Sequence, residues 1–258
     1  MRDVGEDRRH AEVGRADLVA RGGRAIPMTL PISEVFGPTI QGEGPRAGRV
    51  CWFIRFGGCN LSCSWCDTPY TWDHKRFNMR EEMALVTPYA IAAKIPDSAP
   101  EVVLTGGEPL IHQCKESWGR LLGDLVHRRI PIALETNGTI SPNPVTARSI
   151  GHYSISPKLP NAGAHRGHQG AQMAPWPQEL RQRSILKFVV ENKEDVDLAI
   201  TRADAMGWPR DRVWMMPEGT DPDILLKRWP EVVEAAIVKR VNVTQRLHVL
   251  AWGNERGH

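Results

Sequence analysis

The sequence predicts an α/β fold built on a parallel sheet, and three observations carry that expectation. From about Leu30 onward, short apolar runs alternate with amphipathic stretches; no internal repeat or low-complexity linker divides the chain; and polar or glycine-rich motifs follow one strand candidate after another. Repeated β–α units imply parallel strands, either in an open doubly wound sheet or curled into a barrel. A chain of 258 residues holds one large domain with a sizeable core, and residues 28–258 read as that domain. Residues 1–27 hold six arginines, five acids and no aromatic residue, and are expected to be a disordered or weakly ordered tail.

The elements follow in order. "VCWFIRF" (50–56) reads as the first buried strand. "TPYAIAAKI" (87–95) reads as a helix, with Thr87 as its N-cap and Pro88 at the first helical position. "EVVL" (101–104) is the next strand and "WGRLLGDLVHRR" (118–129) the next helix. Strands are expected at "PIAL" (131–134), "HYSI" (152–155) and "ILKFVV" (185–190). "EDVDLAITRADAM" (194–206) is a helix and "RVWMM" (212–216) a strand. "DPDILLKRWPEVVEAAIVKR" (221–240) is helical, with Pro230 expected to split it, and "LHVL" (247–250) is read as a last strand. The stretch 157–183, rich in Pro, Gly and Gln, is expected to be a long irregular loop, a lid or an insertion.

Composition narrows the class. Lys+Arg number 33 against 30 Asp+Glu, a net charge of +3 too small and too scattered to argue for nucleic acid or an anionic membrane. No apolar run reaches the roughly 18 residues of a membrane span and no signal peptide heads the chain, so a soluble, cytoplasmic protein is expected. The five cysteines, Cys51, Cys59, Cys63, Cys66 and Cys114, are odd in number and mostly clustered. That is a poor disulfide framework and reads instead as metal-binding or catalytic.

The unusual residues fall at strand ends. The strand 50–56 runs into the cysteine loop, 101–104 into "TGGEP" (105–109) and 131–134 into "ETNG" (135–138). The strand 152–155 runs into "SPK" (156–158) and 212–216 into "PEG" (217–219). Ligands bind at the carboxyl ends of strands in α/β barrels and open sheets alike. Cys59-x3-Cys63-x2-Cys66 puts three thiolates on one short loop, where they can converge on a soft metal centre. A structural zinc wants four ligands, and Asp67, His74 and His112 make no recognised zinc spacing with the triple. A [4Fe–4S] cluster is normally held by four cysteines, so three leave one iron open. Cys51 and Cys114 read as ordinary buried cysteines.

The cysteine triple followed by "GGEP" resembles the radical S-adenosylmethionine superfamily. That resemblance implies an open iron chelated by the amino and carboxylate groups of S-adenosylmethionine, whose reductive cleavage gives a 5′-deoxyadenosyl radical. Its "GGEP" glycines let backbone and cofactor come close. The stretch 33–73, "SEVFGPTIQGEGPRAGRVCWFIRFGGCNLSCSWCDTPYTWD", is similar to the 7-carboxy-7-deazaguanine synthase family. The similarity recurs in "VVLTGGEPL" (102–110), "LETNGT" (134–139), "ISPKL" (155–159), "LKFVV" (186–190), "MPEGTD" (216–221) and "RLHVLAWGN" (246–254), covering most of residues 32–256.

What this second resemblance implies is specific. The fold is a partial, open (β/α)6-type barrel related to the TIM barrel. The activity is radical ring contraction of 6-carboxy-5,6,7,8-tetrahydropterin to 7-carboxy-7-deazaguanine with loss of ammonia, in 7-deazapurine (queuosine-type) biosynthesis. Cofactors are a [4Fe–4S] cluster on Cys59, Cys63 and Cys66, S-adenosylmethionine, and Mg2+ on Thr68. The pterin substrate falls to Ile40, Gln41, Gly42, Glu43, Arg55, Thr105 and His248, with Arg55 suited to the substrate carboxylate. S-adenosylmethionine falls to Trp65, Cys66, Asp67, Gly107, Glu108, Glu135, Ser156, Pro157 and Lys158. No side chain is assigned as acid or base. Expected partners are a flavodoxin- or ferredoxin-type reductant and a second copy of the chain, with neither nucleic acid nor membrane. A glycyl-radical activase shares the cluster and "GGEP" but would not explain "QGEGP" or "CDT", and a purely structural metal module is the other alternative.

Overall fold

The computed structural model describes residues 18–21, 24–165 and 171–258. Most of the expected tail lies outside them; within it, β1 (Leu18–Arg21) pairs antiparallel with β2 (Arg24–Pro27). The main sheet begins with β3 (Leu30–Ile40), paired antiparallel with β4 (Val50–Phe56). A one-turn helix, α1 (Met79–Glu82), leads to β5 (Ala84–Val86), which pairs antiparallel with the other edge of β3. Thereafter the chain alternates. α2 (Pro88–Ala92) precedes β6 (Val102–Gly106), α3 (Glu116–His127) precedes β7 (Ile132–Thr136), and α4 (Pro144–Ser149) precedes β8 (His152–Ile155). Then follow β9 (Ser184–Val190), α5 (Lys193–Ala205), β10 (Val213–Pro217), α6 (Pro222–Lys239), β11 (Asn242–Val243) and α7 (Leu247–Trp252).

The nine strands lie in the order β11-β10-β9-β8-β7-β6-β4-β3-β5, and every pairing from β4 to β11 is parallel. The order ends in two different strands rather than closing on itself. Six full parallel strands and the stub β11 thus make the partial, open barrel expected, with antiparallel β3 and β5 appended at one edge.

Period-two alternation sorts the strand residues between two environments. Ile54, Phe56, Leu104, Leu134, Tyr153, Ile155, Leu186 and Phe188 point into the layer shared with the helices. α3 meets them with Trp118, Leu121, Leu122 and Leu125, a spacing that keeps one helical face apolar. The opposite face carries a smaller buried group, Cys51, Phe53, Val103 and Ala133, with Phe36 stacked on Phe53 at 5.1 Å between centroids. Above that plug, towards the carboxyl ends, the same face turns polar.

Several expectations change. Thr87 does cap α2, its hydroxyl accepting from the Ala90 N–H at 3.3 Å. Pro230, however, sits inside a continuous α6. It is exposed, as is Leu226 whose carbonyl loses its donor, so water can serve that carbonyl, while buried Leu225, Val232 and Ala236 hold both halves of the helix down. "LHVL" is not a strand but the start of α7, because the Leu247 N–H bonds the Gly42 carbonyl at 2.9 Å and turns the chain across the sheet end. So short an apolar run cannot separate strand from helix by periodicity. Cys51 is buried as expected, whereas Cys114 is exposed. β3 is the longest strand although it contains Pro31, Gly37 and Pro38, residues that weaken strand pairing; register shifts at Ile32/Glu34 and Phe36/Thr39 accommodate them. Among the described residues no helix is long and apolar enough to cross a membrane.

Candidate active site

The inward-facing residues above the apolar plug come from successive parallel strands. Arg55 of β4 lies opposite Thr105 of β6, Glu135 of β7 opposite Ser154 of β8, and Lys187 rises from β9. Together with the loops after these strands they line a cleft enclosing roughly 1260 Å³, its open mouth included. Its lining holds Ile40, Gln41, Gly42, Glu43, Arg55, Thr105 and His248, all the expected substrate residues. It also holds Cys59, Cys63, Trp65, Cys66, Asp67, Thr68, Gly107, Glu135, Ser156 and Lys158.

The cysteine side is built from loop backbone. The Gly58 N–H bonds the Thr71 carbonyl at 2.7 Å, and the Glu108 N–H bonds the Gly58 carbonyl at 2.8 Å, which ties the cysteine loop to the glycine turn after β6. A Cβ on Gly107 would stand 1.9 Å from the Gly58 oxygen, so only glycine lets the two backbones pass. Asn60 donates to Thr139 at 2.8 Å and accepts from Asn137 at 2.9 Å, closing the loop over β7. On its far side the loop meets the 157–183 stretch, where the Ser64 N–H bonds the Ala162 carbonyl at 2.9 Å and the Ser62 N–H bonds His165 Nδ1 at 3.2 Å. Leu61, Cys63, Ala162 and Ala171 are buried together there, so this stretch walls the cysteine loop.

The three thiols share the cleft and act on one another. Burial, first of all, pushes Cys59 up to about 12, and the charges of Cys66 and Cys63 add to it; burial likewise raises Cys63 and Cys66. Donors already point at the sulfurs. The Leu61 N–H reaches Cys59 Sγ at 3.4 Å, the Trp72 indole N–H reaches Cys66 Sγ at 3.3 Å, and Thr68 Oγ1 lies 3.7 Å from Cys66 Sγ.

The opposite side is ionic. Lys187, buried in the middle of an otherwise apolar strand, pairs with Glu43 and stands 4.0 Å from Glu135. Arg246 donates its Nε to the other Glu43 oxygen at 2.9 Å, one terminal nitrogen to the Gly219 carbonyl at 2.6 Å, and the other to Asp67. Burial alone would raise the Glu43 carboxyl, but Lys187, Arg246 and His248 outweigh it and hold the group well below the usual carboxylate range. Asp67, partly desolvated at the cleft, is nonetheless held low by the Arg246 guanidinium bonded to it, and desolvation lowers His248 although the Glu43 carboxylate beside it works the other way. Lys187 stays charged, because Glu43 and Glu135 more than offset its burial.

Glu135 joins the two sides. Its Oε1 accepts from Gln41 Nε2 at 3.1 Å and its Oε2 from the Thr105 hydroxyl at 2.7 Å. Gln41 in turn accepts from the Glu43 N–H at 3.1 Å. Arg55 gives its Nε to Glu34 at 3.0 Å and lies 5.6 Å over the Phe36 ring, which fixes the guanidinium and leaves its terminal nitrogens to the cleft. Lys158 donates to Ser156 Oγ at 2.9 Å and stands over the Trp65 ring at 5.2 Å.

Two expected residues stand elsewhere: neither Glu108 nor Pro157 lines the cleft. Glu108 is wholly buried, and its carboxylate accepts from the Leu110 N–H at 3.0 Å, the Thr136 hydroxyl at 2.8 Å and the Asn137 N–H at 2.7 Å. It braces the glycine turn from below. The Asp67 carboxylate is engaged by Arg246 rather than left open. Lys187, Arg246 and Trp72 line the cleft without having been singled out, although a charge inside an apolar strand and an arginine beside His248 were readable signals.

The donor set fits an iron–sulfur cluster with an organic ligand beside it. Three soft sulfurs face one space, N–H donors are aimed at two of them, and the buried Trp65 indole N–H has no partner although its ring lines the cleft.

Known proteins are similar to this chain. The family described as "Radical SAM superfamily" matches residues 53–156. The 7-carboxy-7-deazaguanine synthase of Pyrobaculum aerophilum is 36% identical over 228 residues, 88% of this chain and 96% of its own length. That of Bacillus subtilis is 32% identical over 246 residues, covering 88% and 98%. The crystal structure of QueE from Escherichia coli superposes with a TM-score of 0.61 at 24% identity, over 86% of this chain and 95% of that one, a likeness of fold.

Proposed function

The chain belongs to the 7-carboxy-7-deazaguanine synthase family of radical S-adenosylmethionine enzymes, and from that premise we infer how its own side chains divide the work. It is a carbon–nitrogen lyase that contracts the ring of 6-carboxy-5,6,7,8-tetrahydropterin to 7-carboxy-7-deazaguanine and releases ammonia, using a [4Fe–4S] cluster and S-adenosylmethionine in 7-deazapurine biosynthesis. When bound, these groups supply hydrogen abstraction and return; the protein supplies position and a dry enclosure.

Cys59, Cys63 and Cys66 would hold the cluster, leaving one iron for the cofactor's methionine end. Lys158 and Ser156, hydrogen-bonded to each other beside Trp65, would meet the cofactor's carboxylate and amine or ribose, and the free Trp65 N–H would gain a partner there. The observation that carries the substrate side is the Gln41–Glu43–Lys187–Arg246 network. Lys187 and Arg246 keep Glu43 ionised and aimed, so a pterin edge of N–H donors meets fixed acceptors instead of water. Arg55, with Nε taken by Glu34, presents its outer nitrogens to the substrate carboxylate. Thr105 and His248 border the same space.

Mg2+ at Thr68 belongs to this reading as a template for the substrate carboxylate. One hydroxyl is a sparse site, and Arg246 occupies the neighbouring Asp67, so binding of the ion would depend on substrate. The proposal extends to a homodimer in the cytoplasm, served by a flavodoxin- or ferredoxin-type electron donor. Anaerobic incubation with carboxytetrahydropterin, S-adenosylmethionine and reductant tests the activity: 7-carboxy-7-deazaguanine and ammonia should form with S-adenosylmethionine turning over catalytically. Stoichiometric 5′-deoxyadenosine without the deazaguanine would refute it. Omitting Mg2+ should weaken pterin binding while leaving S-adenosylmethionine binding unchanged.

A further inference from the structure

Trp72 stands in the cleft wall with its indole N–H on Cys66 Sγ at 3.3 Å. The ring is fixed by its neighbours in the chain. The Thr71 hydroxyl donates to the Thr68 carbonyl at 2.8 Å, the Gly58 N–H bonds the Thr71 carbonyl at 2.7 Å, and the Asp73 N–H bonds the Pro69 carbonyl at 2.7 Å. Thr71 and Asp73 are both buried, and the Asp73 carboxylate accepts from the Lys75 N–H at 3.2 Å and from Arg76 Nε at 2.6 Å. The turn carrying the indole is therefore pinned on both sides of it.

We propose that Trp72 is a positioning residue that sets the reduction potential of the cluster through its N–H···S bond to Cys66. Reduction places added negative charge partly on the ligand sulfurs, and a donor aimed at one of them stabilises the reduced state more than the oxidised one. An indole nitrogen can only donate, so the bond acts in that single direction. With it, the cluster accepts an electron more readily from an external one-electron donor. The inference rests on Cys59, Cys63 and Cys66 holding a cluster, which iron and sulfide content of the reconstituted wild type report separately.

The test is an anaerobic redox titration of reconstituted protein, followed by electron paramagnetic resonance. Trp72→Phe keeps an aromatic ring and removes the donor. It should hold wild-type iron and sulfide, with its midpoint shifted to more negative potential. A full cluster with an unchanged midpoint overturns the proposal. If Trp72→Phe fails to hold a cluster, benzothienylalanine placed at position 72 keeps the indole's shape without its N–H. A more negative midpoint in that protein supports the proposal. A wild-type midpoint, or no cluster at all, overturns it, the latter because the N–H would then serve retention rather than tuning.

Discussion

The cleft has two sides, built by opposite means. The cysteine side is loop backbone, apolar contact and neutral amides, with Glu108 buried beneath it and fully bonded to its own scaffold. The facing side is a set of buried ions, Glu43 between Lys187 and Arg246, with Arg246 reaching on to Asp67. On the proposed division of the site, the difference follows from what each side would hold. Thiolates around a redox centre are stabilised by N–H donors and low polarity, and a nearby uncompensated carboxylate would disfavour the reduced state. A polar heterocycle needs acceptors and donors already in place, and buried charges keep their aim only when paired. Glu135 and Thr105, joined at 2.7 Å, mark the seam.

The two sides should fail differently. Cys59→Ala should do the most damage, abolishing the cluster and all turnover, read as lost iron, lost visible absorbance and no product. Because burial pushes the Cys59 thiol up to about 12, cluster loading must displace its proton, and reconstitution should proceed further as pH rises.

A pair of glycines sharpens the contrast. Gly107→Ala would drive a Cβ to 1.9 Å from the Gly58 carbonyl, rigid backbone that cannot yield, so the cysteine loop should lose its seat and most of its iron. Gly42→Ala also meets an atom at 1.9 Å, but that atom is Nδ1 of the half-buried His248, which can swing away. Iron content should then stay full while kcat/KM falls about tenfold, about 1.4 kcal/mol of transition-state stabilisation.

These outcomes bear on how much of the site is legible in the sequence. The cysteine triple, "GGEP" and the strand-end edge were readable because each is a local spacing whose chemistry is fixed by residue type. The ionic side was not. Lys187 stands inside the apolar run "ILKFVV" and its partner Glu43 is 144 residues away, so only the register of β9 against the rest of the sheet unites them. Arg246 is hidden by the strand reading of "LHVL", for a strand there would continue the sheet instead of crossing its end. Glu108 was assigned to the cofactor by its place in a motif, whereas burial commits its carboxylate to the scaffold.

A smaller effect comes from His152, at the start of β8. Burial, with Arg46, Lys187, Arg212 and Arg49 around it, pushes His152 down to about 4, against an ordinary value near 6.5. The unfolded chain therefore binds more protons between those limits, and stability that is complete above about pH 6.5 is lost as pH falls towards 4. His152→Gln should flatten the dependence of Tm on pH across that window and leave activity at neutral pH unchanged.

The separation of the two sides is tested most directly by Glu43→Gln, carried through cluster reconstitution and product analysis on the same preparation. The substitution leaves Lys187 and Arg246 buried without their shared countercharge, a loss on the order of 3–5 kcal/mol for a broken buried pair. The expected protein carries a full [4Fe–4S] cluster and still binds S-adenosylmethionine, yet forms 7-carboxy-7-deazaguanine at least about a hundredfold more slowly. Loss of the cluster together with the product, or product formation at the wild-type rate, would contradict it.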